Sequence, residues 1–88
     1  EIVIVVTAKP NIAPVAKAGA DQTVVEGDSV KLNASKSSDL DGTISSYEWR
    51  EGKSILSTKS SFSKNDFSVG THKIMLTVTD NSGVSNSD

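Results

Sequence analysis

The sequence predicts an all-β fold, an antiparallel sandwich of about seven short strands. Three observations carry that expectation. Thr, Val, Ile and Ser dominate the chain, and branching at Cβ makes the first three stiff and suited to extended backbone. Turn-forming clusters recur about every 8–12 residues, the spacing of a sandwich. No window of helical length carries apolar residues at three- and four-residue intervals.

The elements run in order along the chain. EIVIVV opens it with five consecutive apolar residues, Ile2, Val3, Ile4, Val5 and Val6, the composition of a buried strand. TAKPNIAP reads as a linker, and Pro10 and Pro14 stiffen it. DQTVVEGDSVKLNAS holds two short strands, Thr23–Val25 and Ser29–Ala34, joined at Glu26-Gly27-Asp28. In the second, Val30 and Leu32 share one face, Lys31 and Asn33 the other. SSDLDG breaks the chain. TISSYEWRE resumes as a strand with Tyr47 and Trp49 on one side. ILSTKSSFS supplies a weaker strand or two, anchored by Phe62, and NDFSVG is a corner. THKIMLTVTD is the clearest strand, with Ile74, Leu76 and Val78 alternating with Lys73, Met75, Thr77 and Thr79. NSGVSNSD is a polar turn and the start of an unfinished element. The predicted division is therefore a displaced strand over 1–8, a linker over 9–14 and a sandwich over 15–88.

Composition narrows the function. Eighty-eight residues, 35% of them hydrophobic, support one small domain with a lean core. A net charge of −2 with nine scattered Lys and Arg gives no electrostatic footprint for nucleic acid or an anionic membrane. The absence of Cys removes disulfide, thiolate and Cys-zinc chemistry. No stretch approaches the ~20 apolar residues of a membrane span. EIVIVV lacks the basic flank and length of a signal peptide, so the chain reads as a segment from within a longer polypeptide.

The strand order shows a deficit. After Asp80-Asn81-Ser82-Gly83 a hairpin partner is due, yet Val84 is the single apolar residue between Gly83 and the C-terminus. The final strand is expected to be missing at the C-terminus while an orphan strand stands at the N-terminus, so EIVIVV reads as a final strand displaced by one repeat. It has three readings. It folds back onto its own domain, it is donated to a neighbouring copy by β-strand addition, or it belongs to the covalently preceding repeat of a tandem array. Donation is favoured because residues 7–14, at most ~26–29 Å when extended, barely recross a domain of this size. Residues 2–6 would then lie along Ile74, Leu76 and Val78 of the acceptor.

AGADQTV, SSDLDGTISSYEW and HKIMLTVTDNSG together resemble the PKD domain, the polycystic-kidney-disease-type repeat, over roughly residues 13–88. The resemblance implies an immunoglobulin-like β-sandwich, often in tandem, in extracellular or cell-surface proteins. It implies a spacer or interaction module and no catalysis. One departure stands out. Many members carry WDFGDG after the strand-borne Trp, where this chain has Trp49-Arg50-Glu51-Gly52-Lys53, so no role of that acidic loop carries over.

Four groups of residues are candidates for chemistry. Asp39-Leu40-Asp41-Gly42 places two carboxylates on one turn, and Ca²⁺ seeks 6–8 oxygens; Asn33, Asp28, Asp80 or Asn81 would add donors. Some PKD-like domains bind calcium. The plainer reading is turn chemistry, with Asp capping backbone amides and Gly42 at positive φ. Trp49 and Tyr47 are read as core together with Val30, Leu32 and Phe62, not as a sugar platform. His72, the single His, lacks a nucleophile at a suggestive spacing and is read as structural. The predicted function is a structural module of a cell-surface stalk, adhesin or fibre, partnered by copies of itself through residues 2–6. The alternative is an accessory polysaccharide- or protein-binding module of a secreted enzyme.

Overall fold

The computed structural model describes residues 1–88. Six strands form: β1 (Val30–Asn33), β2 (Ile44–Glu51), β3 (Ser54–Ser57), β4 (Ser61–Lys64), β5 (Ile74–Asp80) and β6 (Ser85–Ser87). They build two antiparallel sheets, one of β1 and β4, the other in the order β3-β2-β5-β6. The fold is an all-β sandwich.

Period-two alternation explains the core. Along β5, Leu76 and Val78 are fully buried, whereas Met75 is exposed. Across the ladder, Trp49 stands opposite Leu76 and Tyr47 opposite Val78. Trp49 is fully buried, its indole N–H donates to the Lys59 carbonyl at 3.0 Å, and Phe62 of the facing sheet meets it edge-on at 5.7 Å. Ala16 and Ala34 complete the buried cluster, with Leu32, Tyr47, Phe62 and Ile74 half-buried around it. The β2–β3 hairpin turns at Gly52, whose φ of 60° is the left-handed conformation such tight turns require.

The structure corrects three expectations. Six strands form, not seven, because Thr23–Val25 makes no ladder; Val25 is 73% exposed, and only the Gln22 side chain bonds toward β1. The final strand is not missing. Ser85–Ser87 pairs with Thr77–Thr79, and Asp88 exchanges both backbone hydrogen bonds with Leu76 at 2.9 and 3.0 Å. The hairpin forms despite its polar sequence because backbone pairing needs no apolar side chains; Thr77–Ser87 and Thr79–Ser85 hydroxyl pairs supply the cross-strand contacts. The edge of β5 alongside Leu76 and Val78 is thus filled by the chain itself.

The third correction concerns the linker. Asn11, Ile12 and Pro14 belong to the folded body: Pro14 is fully buried and its carbonyl accepts from Asn86 Nδ2 at 3.0 Å. A Val15–Ser38 bridge comes next. Residues 2–6, by contrast, are 76–88% exposed. They extend the molecule to 73 Å along an axis whose perpendiculars are 22 and 17 Å. The radius of gyration, 17.6 Å, exceeds the roughly 12 Å of a closely packed chain of this length for the same reason.

Candidate functional site

Asp39, Asp41 and Asp80 converge where the entering chain, the 38–43 loop and the β5–β6 turn meet. Asp80, 1% exposed, ends β5. Its Oδ1 accepts the Ser82 and Val84 amides, both at 2.9 Å, and so shapes the hairpin turn. Its Oδ2 accepts Asn11 Nδ2 at 2.9 Å. The Asn11 amide and the turn amides hold the Asp80 carboxyl below its ordinary range. Asp41 Oδ2 accepts the Ile12 amide at 2.7 Å, and that bond likewise lowers the Asp41 carboxyl.

Asp39 behaves oppositely. Burial pushes its carboxyl up, and its contact with Asp41 adds to the rise. Its Oδ1 accepts the Asp41 amide at 3.4 Å, and the Asp41 and Asp80 carboxyls lie close by. Two buried oxygens of the cluster, Asp39 Oδ2 and Asp41 Oδ1, have no hydrogen-bond partner. Buried polar atoms are ordinarily paired, so these two carry unmet capacity for a proton or a cation. No three His, Cys, Asp or Glu side chains stand together at metal-coordinating geometry, so an ion here would also draw on carbonyl or amide oxygens.

The other donors expected from sequence lie elsewhere. Asn33 Oδ1 accepts the Ser35 amide in its own turn, and Asp28 Oδ2 accepts the Val25 amide. Asn81 Oδ1 accepts the Thr43 amide at 3.1 Å, closing the 38–43 loop against the hairpin. Gly42 is not at positive φ. It is required because a Cβ there would overlap Asn81 Oδ1. Asn11 and Ile12 were not legible as site residues, since their partners lie 69 and 29 residues away.

His72 sits at the other end of β5 with Ser68 and Glu51, a set that superficially resembles a Ser-His-acid triad. Its Nε2 is 3.5 Å from Ser68 Oγ, but 2.7 Å from the Ser68 carbonyl, while Nδ1 meets Glu51 Oε2. A carbonyl only accepts, so Nε2 must carry a proton and cannot take one from Ser68. The Ser68 carbonyl and the Glu51 carboxylate together raise the His72 pKa. Phe67 packs on the ring with centroids 4.8 Å apart. The arrangement latches the corner before β5.

The comparisons bear on this architecture. A family model described as PKD domain matches residues 11–88. Collagenase ColA of Clostridium perfringens (strain 13 / Type A) is 31% identical over 78 residues, covering 89% of this chain and 7% of that protein. The PKD1 domain of Vibrio cholerae metalloprotease PrtV is 38% identical with a TM-score of 0.69, covering 88% of this chain and 90% of that one. A structure from work on the promiscuous specificity of carbohydrate-binding modules of the β-sandwich superfamily reaches a TM-score of 0.80 at 36% identity. That match covers 91% of this chain and 33% of the other. The chain therefore spans a small part of the curated relative and a third of that solved chain, but nearly the whole of a single domain.

Proposed function

Because this chain belongs to the PKD domain family, we propose that it is a non-catalytic extracellular accessory module that spaces and joins neighbouring modules, residues 2–6 adding as a strand to one of them. One observation carries the first half. The same sandwich recurs as 7% of a collagenase and 33% of a chain from the carbohydrate-binding-module work, a unit used beside other units. A setting beside a secreted enzyme therefore has more support than the adhesin, stalk or fibre expected from sequence. A ligand-binding role for the sandwich itself has little, because Trp49 is fully buried and Tyr47, Phe62 and Phe67 are half-buried, leaving no aromatic platform.

The exposure of Ile2–Val6 supports the second half. Five adjacent apolar residues at 76–88% exposure are a liability unless something covers them. Burial of each large side chain contributes ~1.5–3 kcal/mol before ordering costs. The test is the mass of the chain across a concentration series, beside a version lacking residues 1–8. Those residues are all exposed and outside every strand, so truncation leaves the body intact. Concentration-dependent oligomers lost on truncation support strand addition. A monomeric full-length chain at all concentrations removes it and leaves the spacer.

Calcium is a second reading, favoured by the unpartnered Asp39 Oδ2 and Asp41 Oδ1. Asp39 and Asp41, completed by carbonyl or amide oxygens nearby, would hold the ion, hard oxygen donors suiting a hard cation. Bound there, it would neutralise the like charges that the cluster gathers. Such an ion would stiffen the entry of the chain, since Ile12 hangs from the Asp41 carboxylate.

A further inference from the structure

Loops 18–28 and 67–74 flank an open cleft of about 830 Å³, walled by Val30, Leu32, Trp49 and Ile74. We propose that this cleft is the acceptor for residues 2–6 of a second copy of the chain, laid as a strand along the free edge of β1. The inference rests on the strand-addition reading above and assigns its receiving edge.

The first support is the edge itself. β1 pairs only with β4, and the Lys31 carbonyl is met by the exposed Gln22 side chain, which an added strand would displace, not by a strand. An unpaired edge bordering an apolar space is a template for an added strand. The second is size. Five extended residues in a sandwich layer fill about 17 Å by 4.8 Å by 10 Å, roughly 800 Å³, so the open cleft has room for a strand of that length. The third is the occupant's character. EIVIVV does not alternate, and a strand apolar on both sides needs cover on both faces; loops 18–28 and 67–74 offer two walls. Five Val and Ile residues carry roughly 300–600 Å² of apolar surface. Counted on both partners, that approaches the ~1,000 Å² of a specific interface.

The chain's own arm does not occupy the cleft, since residues 2–6 are exposed. It is anchored through Asn11 and Ile12 to Asp80 and Asp41, at the end of β5 opposite to Ile74. Seven residues of β5 separate the two ends by about 20 Å. The six steps from Ile12 to Val6 span that distance only when fully extended, and the arm runs free instead, none of its residues lining the cleft. β3 and β4 also end their sheets, but neither borders the cleft. The edge of β5 is taken by residues 85–88, and β6 presents only the polar Ser85, Asn86 and Ser87, with the Asn86 side chain already bonded to the Pro14 carbonyl.

Disulfide trapping tests the assignment, because the chain has no cysteine of its own. Full-length chains carrying Val3→Cys or Ile4→Cys, one for each face of the arm, are mixed with chains carrying Lys31→Cys and oxidised. Parallel mixtures use Ile55→Cys on β3 and Asn86→Cys on β6. Neighbouring strands bring Cβ atoms within about 4.5–5.5 Å, inside disulfide reach. The mixed dimer through Lys31→Cys is expected to form at least about ten-fold faster than the others, a proximity gain. Faster trapping at Ile55→Cys or Asn86→Cys overturns the cleft assignment and leaves strand addition standing. Uniformly slow trapping, from a chain that is monomeric by mass, overturns both.

Discussion

Asn11 Nδ2 donates to Asp80 Oδ2 at 2.9 Å across 69 residues of sequence. The bond joins the segment entering the sandwich to the turn that closes it, because the other oxygen of Asp80 holds the Ser82 and Val84 amides. Asn11→Ala leaves a buried carboxylate oxygen without its donor. The variant is expected to lose several degrees of thermal midpoint and to exchange the Ile12 amide hydrogen at least tenfold faster, about 1.4 kcal/mol of local opening. Unchanged exchange at Ile12 would show that Asn11 does not tether the entry segment.

The Gly42–Asn81 contact predicts a coupled pair. Gly42→Ala drives a Cβ into Asn81 Oδ1 and breaks its bond to the Thr43 amide, at about 1–3 kcal/mol. In an Asn81→Ala background the obstruction is gone, so the same change should cost well under half as much. Denaturant unfolding of the four-member cycle gives the coupling directly; additive costs would sink the explanation.

Asp39 predicts opposite effects with and without calcium. Burial disfavours its charge, so in chelator Asp39→Asn should raise the thermal midpoint at pH 7. Added Ca²⁺ should raise the midpoint of the parent chain and leave that of Asp39→Asn nearly unmoved. A parent chain indifferent to millimolar Ca²⁺ would remove the calcium reading without touching the spacer.

His72 supplies the pH dependence. Its folded pKa is raised by the Ser68 carbonyl and the Glu51 carboxylate, and lowered in part by desolvation and Lys64. The stability it contributes is therefore present below its unfolded pKa near 6.5 and is lost as pH rises through the folded value. Thermal midpoints should fall as pH rises above about 6.5 in the parent chain, and stay nearly flat in His72→Gln, which keeps one donor and cannot charge. A parent chain whose midpoint is flat over that window would refute the latch.

Much of the fold was legible because period-two patterns report which face a strand buries. Lys73–Thr79 and Tyr47/Trp49 show the alternation that the structure realises on β5 and β2. Thr23–Val25 misled because β-branched composition signals willingness to extend but names no partner. The final hairpin strand was misread for the converse reason: Ser85–Ser87 lacks apolar residues, yet backbone bonds and hydroxyl pairs suffice to hold it. Asp39 and Asp41 stood out as a spaced pair, and Asp80 was one of several acids that could have joined them. Nothing local chose Asp80 over Asn33 or Asp28.

By itself the sequence determined the class of fold, the burial of Trp49 and the anomaly of five apolar residues at one end, because all three follow from composition and short-range periodicity. Only the tertiary structure decided that Asn11 and Ile12 hang from Asp80 and Asp41, that Gly42 serves a close approach, and that the edge of β5 is already filled. The first two depend on contacts between residues 29 to 69 positions apart, the third on backbone pairing that side-chain composition does not report, and chain folding, not local preference, sets which groups meet.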